Sequence, residues 1–420
     1  MRRRLLALGC VCACLLTACG VLPGGGGPER RTVTVWLMKD SASPAFLERF
    51  TRAFERTHDD LRLDIRIQQW TGIGTKVQSA LGRTDGGGGP DVIEVGNTQV
   101  AQYVDGGGLL DLTLESMRDW GMDQWLPGLA QPGRFGGHQY GIPWYAANRV
   151  VIYRKDLFAR AGITEPPKTR EQWLADTAKL DSRATQGIYL PGQDWYTLSG
   201  FIWDEGGDLA EQTSAGRWEG TLQTPAALRG MAFYRRLQAL GSGPVDADEE
   251  HPPQAGVFAE GPVAQIVAVP GLAQAITEKN PELEGKLGFF PVPGRTAARP
   301  GAVFTGGSDL VVPKNTGDRP GATAVVAALA GTTWQTDLAR TMNYVPNKTT
   351  LARAVADEEG AAAMAAGAAR GRATPAAPAW AAVEADNPIK TYMTEVLEGA
   401  DPATAAARAS RSITRSLADG

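Results

Sequence analysis

Cysteine is absent from the chain beyond position 19. All four, Cys10, Cys12, Cys14 and Cys19, stand in the first nineteen residues, so the body of the protein has no disulfide, free thiol or thiolate metal site. Histidine is scarce as well: His58, His138 and His251 lie far apart, with no second ligand at helical or turn spacing, which argues against a metal centre. Positive charge is not in surplus. Lysine and arginine number 42 against 46 acidic residues, a net charge of −4, and no basic run occurs beyond the leader, so a nucleic-acid partner is not expected. Gly-x-Ser-x-Gly, a phosphate-binding glycine loop and His-Glu-x-x-His are all missing. The glycine runs at 24–27, 86–89 and 106–108 lack the lysine a phosphate loop needs and read as turns. The pattern therefore predicts no catalytic residue, no metal and no cofactor.

What is present begins with the leader. Arg2, Arg3 and Arg4 precede an apolar stretch over 5–16, too short to span a bilayer as a helix but suited to an export signal. Leu16, Thr17, Ala18 and Cys19 then form a cleavage and lipidation site, with small Ala18 beside the scissile bond and the Cys19 sulfur available for a thioether. The expected arrangement is a signal peptide over 1–18, then lipidated Cys19 and a flexible Gly/Pro-rich tether over 19–30. The protein would be extracytoplasmic, anchored to the cell membrane as a lipoprotein. One chain gives only marginal membrane affinity, so two acyl-type chains on Cys19 are a reasonable minimum.

The remaining length exceeds what one core usually organises and predicts two lobes, for which a hydrophobic fraction of 43% is ample. Val33, Val35 and Leu37 alternate as a strand, and Ser43-Pro44 opens a helix with Phe46, Leu47, Phe50 and Phe54 on one face. Leu61, Leu63, Ile65 and Ile67 mark a second strand, a helical segment surrounds 76–81, and 91–95 is a third strand. This β-α-β-α-β order predicts a parallel sheet in an open α/β lobe. Further strands are expected at 150–153, 263–269, 287–290 and 309–312, with helices at 155–161, 171–180, 225–239, 319–329, 333–342 and 402–417. The Ala/Gly-rich stretch at 360–377 favours helix.

Several landmarks in succession resemble the extracellular solute-binding proteins of ABC sugar importers, the maltose-binding-protein-like class. They are Gly89-Pro90-Asp91-Val92-Ile93, Gly107-Gly108-Leu109-Leu110-Asp111-Leu112, Tyr140-Gly141-Ile142-Pro143, and Val151-Ile152-Tyr153-Arg154-Lys155-Asp156-Leu157-Phe158 with Ala161-Gly162-Ile163. Phe258-Ala259-Glu260-Gly261 and Gly306-Gly307-Ser308-Asp309-Leu310 with Pro313-Lys314 continue the series. The resemblance implies an α/β, two-lobed, type II periplasmic-binding-protein-like fold whose discontinuous lobes are joined by hinge crossovers. Lobe 1 would hold 31–143 plus 291–337, and lobe 2 would hold 144–290 plus 338–420. The hinge would lie near 143–147, 289–291 and 337–341. The implied partners are an oligosaccharide, the transmembrane subunits of an ABC permease and the membrane itself, with the protein acting as a monomer.

An open α/β lobe binds ligands beyond the carboxyl ends of its strands, and a two-lobed protein binds them between its lobes. Lys39 and Asp40 follow the first strand, and Asn97, Thr98 and Gln99 follow the third. Asp and Asn suit sugar hydroxyls, and flat rings suit the C–H faces of a pyranose. Trp144 and Tyr145 stand at the expected crossover, and Asp194, Trp195 and Tyr196 before the segment 201–207. By resemblance, Asp194, Tyr196 and the 97–99 stretch contact sugar, and Ser308 and Asp309 in the late strand join the candidate set. Gly271, after Pro270, would present backbone amides at a helix start. Trp36, Trp70, Trp334 and Tyr344 suit either ligand or core, and Trp203 suits helix packing. Leu272 and Ala147 stand where relatives often carry an aromatic or acidic contact, which argues against a maltose-like ligand. The stretch Val95-Gly96-Asn97-Thr98-Gln99 looks more like importers of chitobiose or other β-linked sugars.

Three other readings stay open on the sequence. One is a membrane-anchored glycoside-active enzyme drawing a carboxylate pair from Glu94, Asp194 and Asp204. The others are a purely structural or adhesive lipoprotein and a binding protein for a non-sugar solute.

Overall fold

In a computed structural model the described residues are 30–418, apart from 71, 84–87, 343, 352–358 and 369. The leader, Cys19 and the tether up to 29 lie outside them. Strand β1 (Arg31–Met38) and β2 (Leu61–Gln68) pair in parallel from Arg31 opposite Leu61 to Met38 opposite Gln68. Between them α1 (Pro44–Thr57) starts where Ser43 accepts the Phe46 N–H, and it buries Phe46, Phe50 and Phe54 against the sheet. Helix α2 (Ile73–Leu81) leads to β3 (Val92–Gly96), parallel to β1 on its other side. The β-α-β-α-β expectation therefore holds, because each apolar period matches the element that buries it.

The chain leaves this sheet through β4 (Ile142–Asn148) and enters a second one through β5 (Val150–Arg154), with Arg149 alone between them. Helices α3 (Arg170–Leu180), α4 (Trp195–Asp204) and α5 (Pro225–Gln238) follow. Then come β6 (Gln265–Ala268), α6 (Leu272–Lys279) and β7 (Leu287–Pro291). β5 lies between β6 and β7, antiparallel to both. The return is made by β8 (Val303–Val311), antiparallel to β3 and β4. After a helix over Arg319–Leu329, α7 (Thr332–Met342), β9 (Val345–Pro346), α8 (Glu359–Ala368), β10 (Gly371–Arg372), α9 (Trp380–Asp386), α10 (Pro388–Leu397) and α11 (Pro402–Ala418) complete the described chain. The first sheet runs β9-β4-β8-β3-β1-β2, with β10 beside the start of β8.

Each sheet carries a large core of its own, and a third cluster that includes Ala146 of β4 and Ile152 of β5 bridges the sheets. Val33, Val35, Phe46, Phe50, Trp144, Val325 and Leu338 pack in the first core, and Trp173, Trp195, Phe201, Tyr234, Phe290, Trp380 and Ile413 in the second. Trp144 and Tyr145, at the expected start of the second lobe, pack with the first core, as do Leu338 and Tyr344. β8 joins the two: Val303 and Phe304 belong to the second core and Leu310 to the first. Sequence pattern places this strand only at 309–312. Its first half, Phe304-Thr305-Gly306-Gly307, contains adjacent glycines that weaken strand propensity, and pairing with β4 overrides them. Among the described residues, no helix is long and apolar enough to cross a membrane.

Candidate functional site

At the carboxyl end of β1 the chain turns through Lys39 and Asp40, both exposed. Asp40 holds a φ of 66°, a left-handed conformation that costs a non-glycine residue about 1–2 kcal/mol. Beneath this turn lies Glu94, fully buried on β3. Its Oε2 accepts the Met38 N–H at 2.7 Å, and its Oε1 accepts from Ser41 Oγ at 2.7 Å and Tyr145 Oη at 3.0 Å. Ser308 Oγ donates to Tyr145 Oη at 3.1 Å. The Tyr145 ring stacks on Tyr344 with centroids 4.2 Å apart, and Tyr344 Oη donates to the Asp40 carbonyl at 3.3 Å. Glu94 thus organises the turn that presents Lys39 and Asp40.

Burial pushes the Glu94 carboxyl up to about 7 from an ordinary 4.5, against the pull of its hydrogen-bond donors. The fold holds this proton more tightly than the unfolded chain does. Its contribution to stability is therefore complete below about pH 4.5 and is lost as pH rises to about 7. Glu94→Gln, which keeps the shape and removes the titration, is expected to flatten the fall in melting temperature between pH 5 and pH 8. A slope equal to that of the wild type would show that Glu94 does not carry it.

After β3, residues Asn97–Gln99 form a 3₁₀ turn. Asn97 is 2% exposed and its Nδ2 has no hydrogen-bond partner. Thr98 Oγ1 donates to Glu384 Oε2 at 3.3 Å, across from the first half of the molecule to α9. Glu384 Oε1 accepts from Trp380 Nε1 at 2.9 Å, and burial lifts its carboxyl to about 7. Gln99 accepts from Tyr103 Oη at 3.4 Å. Asn97 and Thr98 also line a cavity of about 370 Å³ whose facing wall includes Asp208, Trp218 and the segment from Gly371 to Ala376.

A second cluster lies on the other half. Asp194 caps α4, accepting from Thr197 N–H at 3.0 Å and Thr197 Oγ1 at 2.6 Å. The Arg149 guanidinium sits 3.8 Å from Asp194, donates to Glu249 Oε1, and lies 4.3 Å from the centre of the Tyr196 ring. Tyr196 in turn lies 4.6 Å from Phe304. Burial, then the Glu249 charge, pushes Asp194 up to about 7. Burial opposes the charge on Arg149, but Glu249 and Asp194 outweigh it and hold that guanidinium above its ordinary range. The result is an aromatic ring, partly exposed, fixed from behind by a cation.

The remaining candidates divide by accessibility. Trp144 is fully buried, edge-on to Tyr145, and Trp195 is 3% exposed against Tyr196. Ser308 and Asp309 are buried. The Asp309 carboxyl has no hydrogen-bond partner, and burial pushes it far above the carboxylate range. It occupies space left by two glycines: a Cβ on Gly141 would come within 2.4 Å of Asp309 Oδ2, and one on Gly133 within 2.8 Å. Gly271 is half-buried at the N-cap of α6. Of the tryptophans with two open roles, Trp70 is 43% exposed beyond β2, while Trp334 packs on Phe46 and Phe50. Glu94, Asp194 and Asp204 do not gather: Asp204 pairs with Arg170 at 3.0 Å and with Arg370, apart from the other two networks.

Sequence reasoning does not single out Ser41, Arg149, Glu249, Trp218 or Glu384. Two of these carry a signal. Arg149 interrupts a run of strand residues, and Glu384 follows Trp380 by one helical turn. Glu249 lies 100 positions from Arg149, and no local pattern pairs them.

The model of the family described as bacterial extracellular solute-binding protein matches residues 39–336. The diacetylchitobiose binding protein DasA of Streptomyces coelicolor is 35% identical over 401 residues, covering 95% of this chain and 93% of DasA. Among solved structures, the sugar-binding protein MalE from Xanthomonas citri matches with a TM-score of 0.80 at 21% identity, over 92% of this chain and 98% of that one. The GacH receptor of Streptomyces glaucescens matches with a TM-score of 0.78 at 23% identity, over 93% and 99%. These two share the two-lobed α/β fold, and the relatives are solute-binding proteins rather than enzymes. The chain belongs to the bacterial extracellular solute-binding proteins.

Proposed function

We propose that this protein is the capture component of an ABC importer for a β-linked oligosaccharide of the diacetylchitobiose kind. The observation that carries this reading is the 35% identity to DasA across 95% of the chain. The two lobes close about their crossovers on the sugar and deliver it unaltered to the permease. Lys39, Asp40, Asn97, Thr98, Gln99, Tyr196 and Gly271 form the binding surface. Trp144, Tyr145, Asp194, Trp195, Ser308 and Asp309 support it from behind. A ligand shifts the open–closed balance only by its differential affinity, tenfold for about 1.4 kcal/mol. The protein works as a monomer, held to the membrane through lipidated Cys19.

Thermal-shift measurements with N,N′-diacetylchitobiose, cellobiose, maltose and mannitol test the ligand. A saccharide at a hundredfold excess over its Kd adds about 2.7 kcal/mol to the stability of the form that binds it, so diacetylchitobiose is expected to raise Tm clearly. No shift with any saccharide would end the sugar reading. A Cys19→Ala protein is expected to carry no lipid in metabolic labelling with a radiolabelled fatty acid; label retained in it would end the anchor reading.

A further inference from the structure

The cavity of about 370 Å³ beside Asn97 falls in the size range of small-molecule sites. None of its lining residues belongs to the Glu94 or Arg149 networks. One wall comes from the first half of the molecule, with Asn97, Thr98 and Ala101, and the other from the second, with Ala210, Trp218 and Ala376.

Four features of this lining restrict what fits. Asn97 Nδ2 is a buried donor with no partner, and such a group gains when a ligand brings an acceptor oxygen. The two charged residues in the wall, Arg372 and Asp208, pair with each other at 2.5 Å, so the cavity asks for a neutral ligand. Ala101, Pro132, Ala210, Pro375 and Ala376 give small apolar surface that suits a methyl group, while Thr98, Gln131 and Thr374 in the same lining leave partners for the sugar's hydroxyls. The partly exposed Trp218 ring offers a flat face of the kind that packs on a pyranose. A neutral sugar carrying a carbonyl oxygen next to a methyl group meets all four conditions.

We infer that this cavity is an acetamido-recognition subsite, in which Asn97 Nδ2 donates to the carbonyl oxygen of an N-acetyl group and the methyl lies against the alanine and proline wall. The inference rests on the sugar-capture reading and adds to it the substituent read and the residues that read it. Because both halves supply walls, an N-acetylated unit seated there favours the closed arrangement.

Isothermal titration of the wild-type protein with N,N′-diacetylchitobiose and with cellobiose, which has hydroxyls in place of the acetamido groups, tests it. The acetylated sugar is expected to bind at least tenfold more tightly. Asn97→Ala is expected to remove most of that preference. Ala376→Trp, which fills the cavity from an exposed position, is expected to cost tenfold or more for diacetylchitobiose and to keep the wild-type melting temperature. Equal affinity of the wild type for the two sugars overturns the subsite and leaves sugar capture standing. So does wild-type affinity for diacetylchitobiose in either correctly folded variant. Failure of the wild type to bind any saccharide overturns both.

Discussion

Trp144→Ala is expected to lower the unfolding free energy by about 3–5 kcal/mol, the range for truncating a large buried aromatic. Trp144 is fully buried, and it packs with the core that holds Val33, Phe46 and Leu338. Its indole N–H has no hydrogen-bond partner, so the ring contributes through area and shape rather than through a polar contact. Trp144→Phe keeps most of the apolar volume and is expected to lose less stability while binding saccharide as the wild type does. Denaturant melts and titration of the two variants check this. A Trp144→Ala protein of wild-type stability but weakened saccharide binding would place the ring in the ligand site instead.

Arg149→Met is expected to be of similar size and to depend on pH. Removing the cation leaves Asp194 and Glu249 facing each other without their shared partner, and breaking a buried pair from one side costs about 3–5 kcal/mol. Asp194 can escape by taking up a proton. It already holds its proton up to about pH 7, and without the opposing Arg149 charge it is raised further. The deficit is therefore expected to be largest near pH 8 and to shrink as pH falls toward 5.5, which denaturant melts at the two values measure. Adding Glu249→Gln should recover part of the loss at pH 8, because the second acid no longer needs a cation. A deficit that is the same at both pH values would mean that the guanidinium acts only by packing on Tyr196 and Phe304.

Much of the scaffold is legible locally. The alternation of Val33, Val35 and Leu37 and the Ser43-Pro44 start of α1 specify their elements through contacts only a few residues apart. The strand-end rule also locates Lys39, Asp40 and Asn97–Gln99 beyond β1 and β3. It cannot separate the exposed Asp40 from the buried Asn97, because exposure there depends on what the other half of the molecule brings over each turn. Trp144 and Tyr196 illustrate the same limit. Both resemble ligand platforms next to polar or turn residues, yet one is enclosed by the core and the other is held partly open by Arg149. Glu94 is visible as an acid inside a strand, but its partners Ser41 and Tyr145 are 53 and 51 positions away.

By itself the sequence determined the parallel α/β lobe, the division into two lobes and the absence of cysteine from everything after Cys19, since these follow from periodicity, length and composition along the chain. Tertiary structure alone decided which candidate side chains face a ligand, how Arg149 serves two acids and a ring, and that a cavity opens between Asn97 and Trp218. The physical reason is that burial, ion pairing and cavity shape are set by residues that meet only after folding, often more than a hundred positions apart.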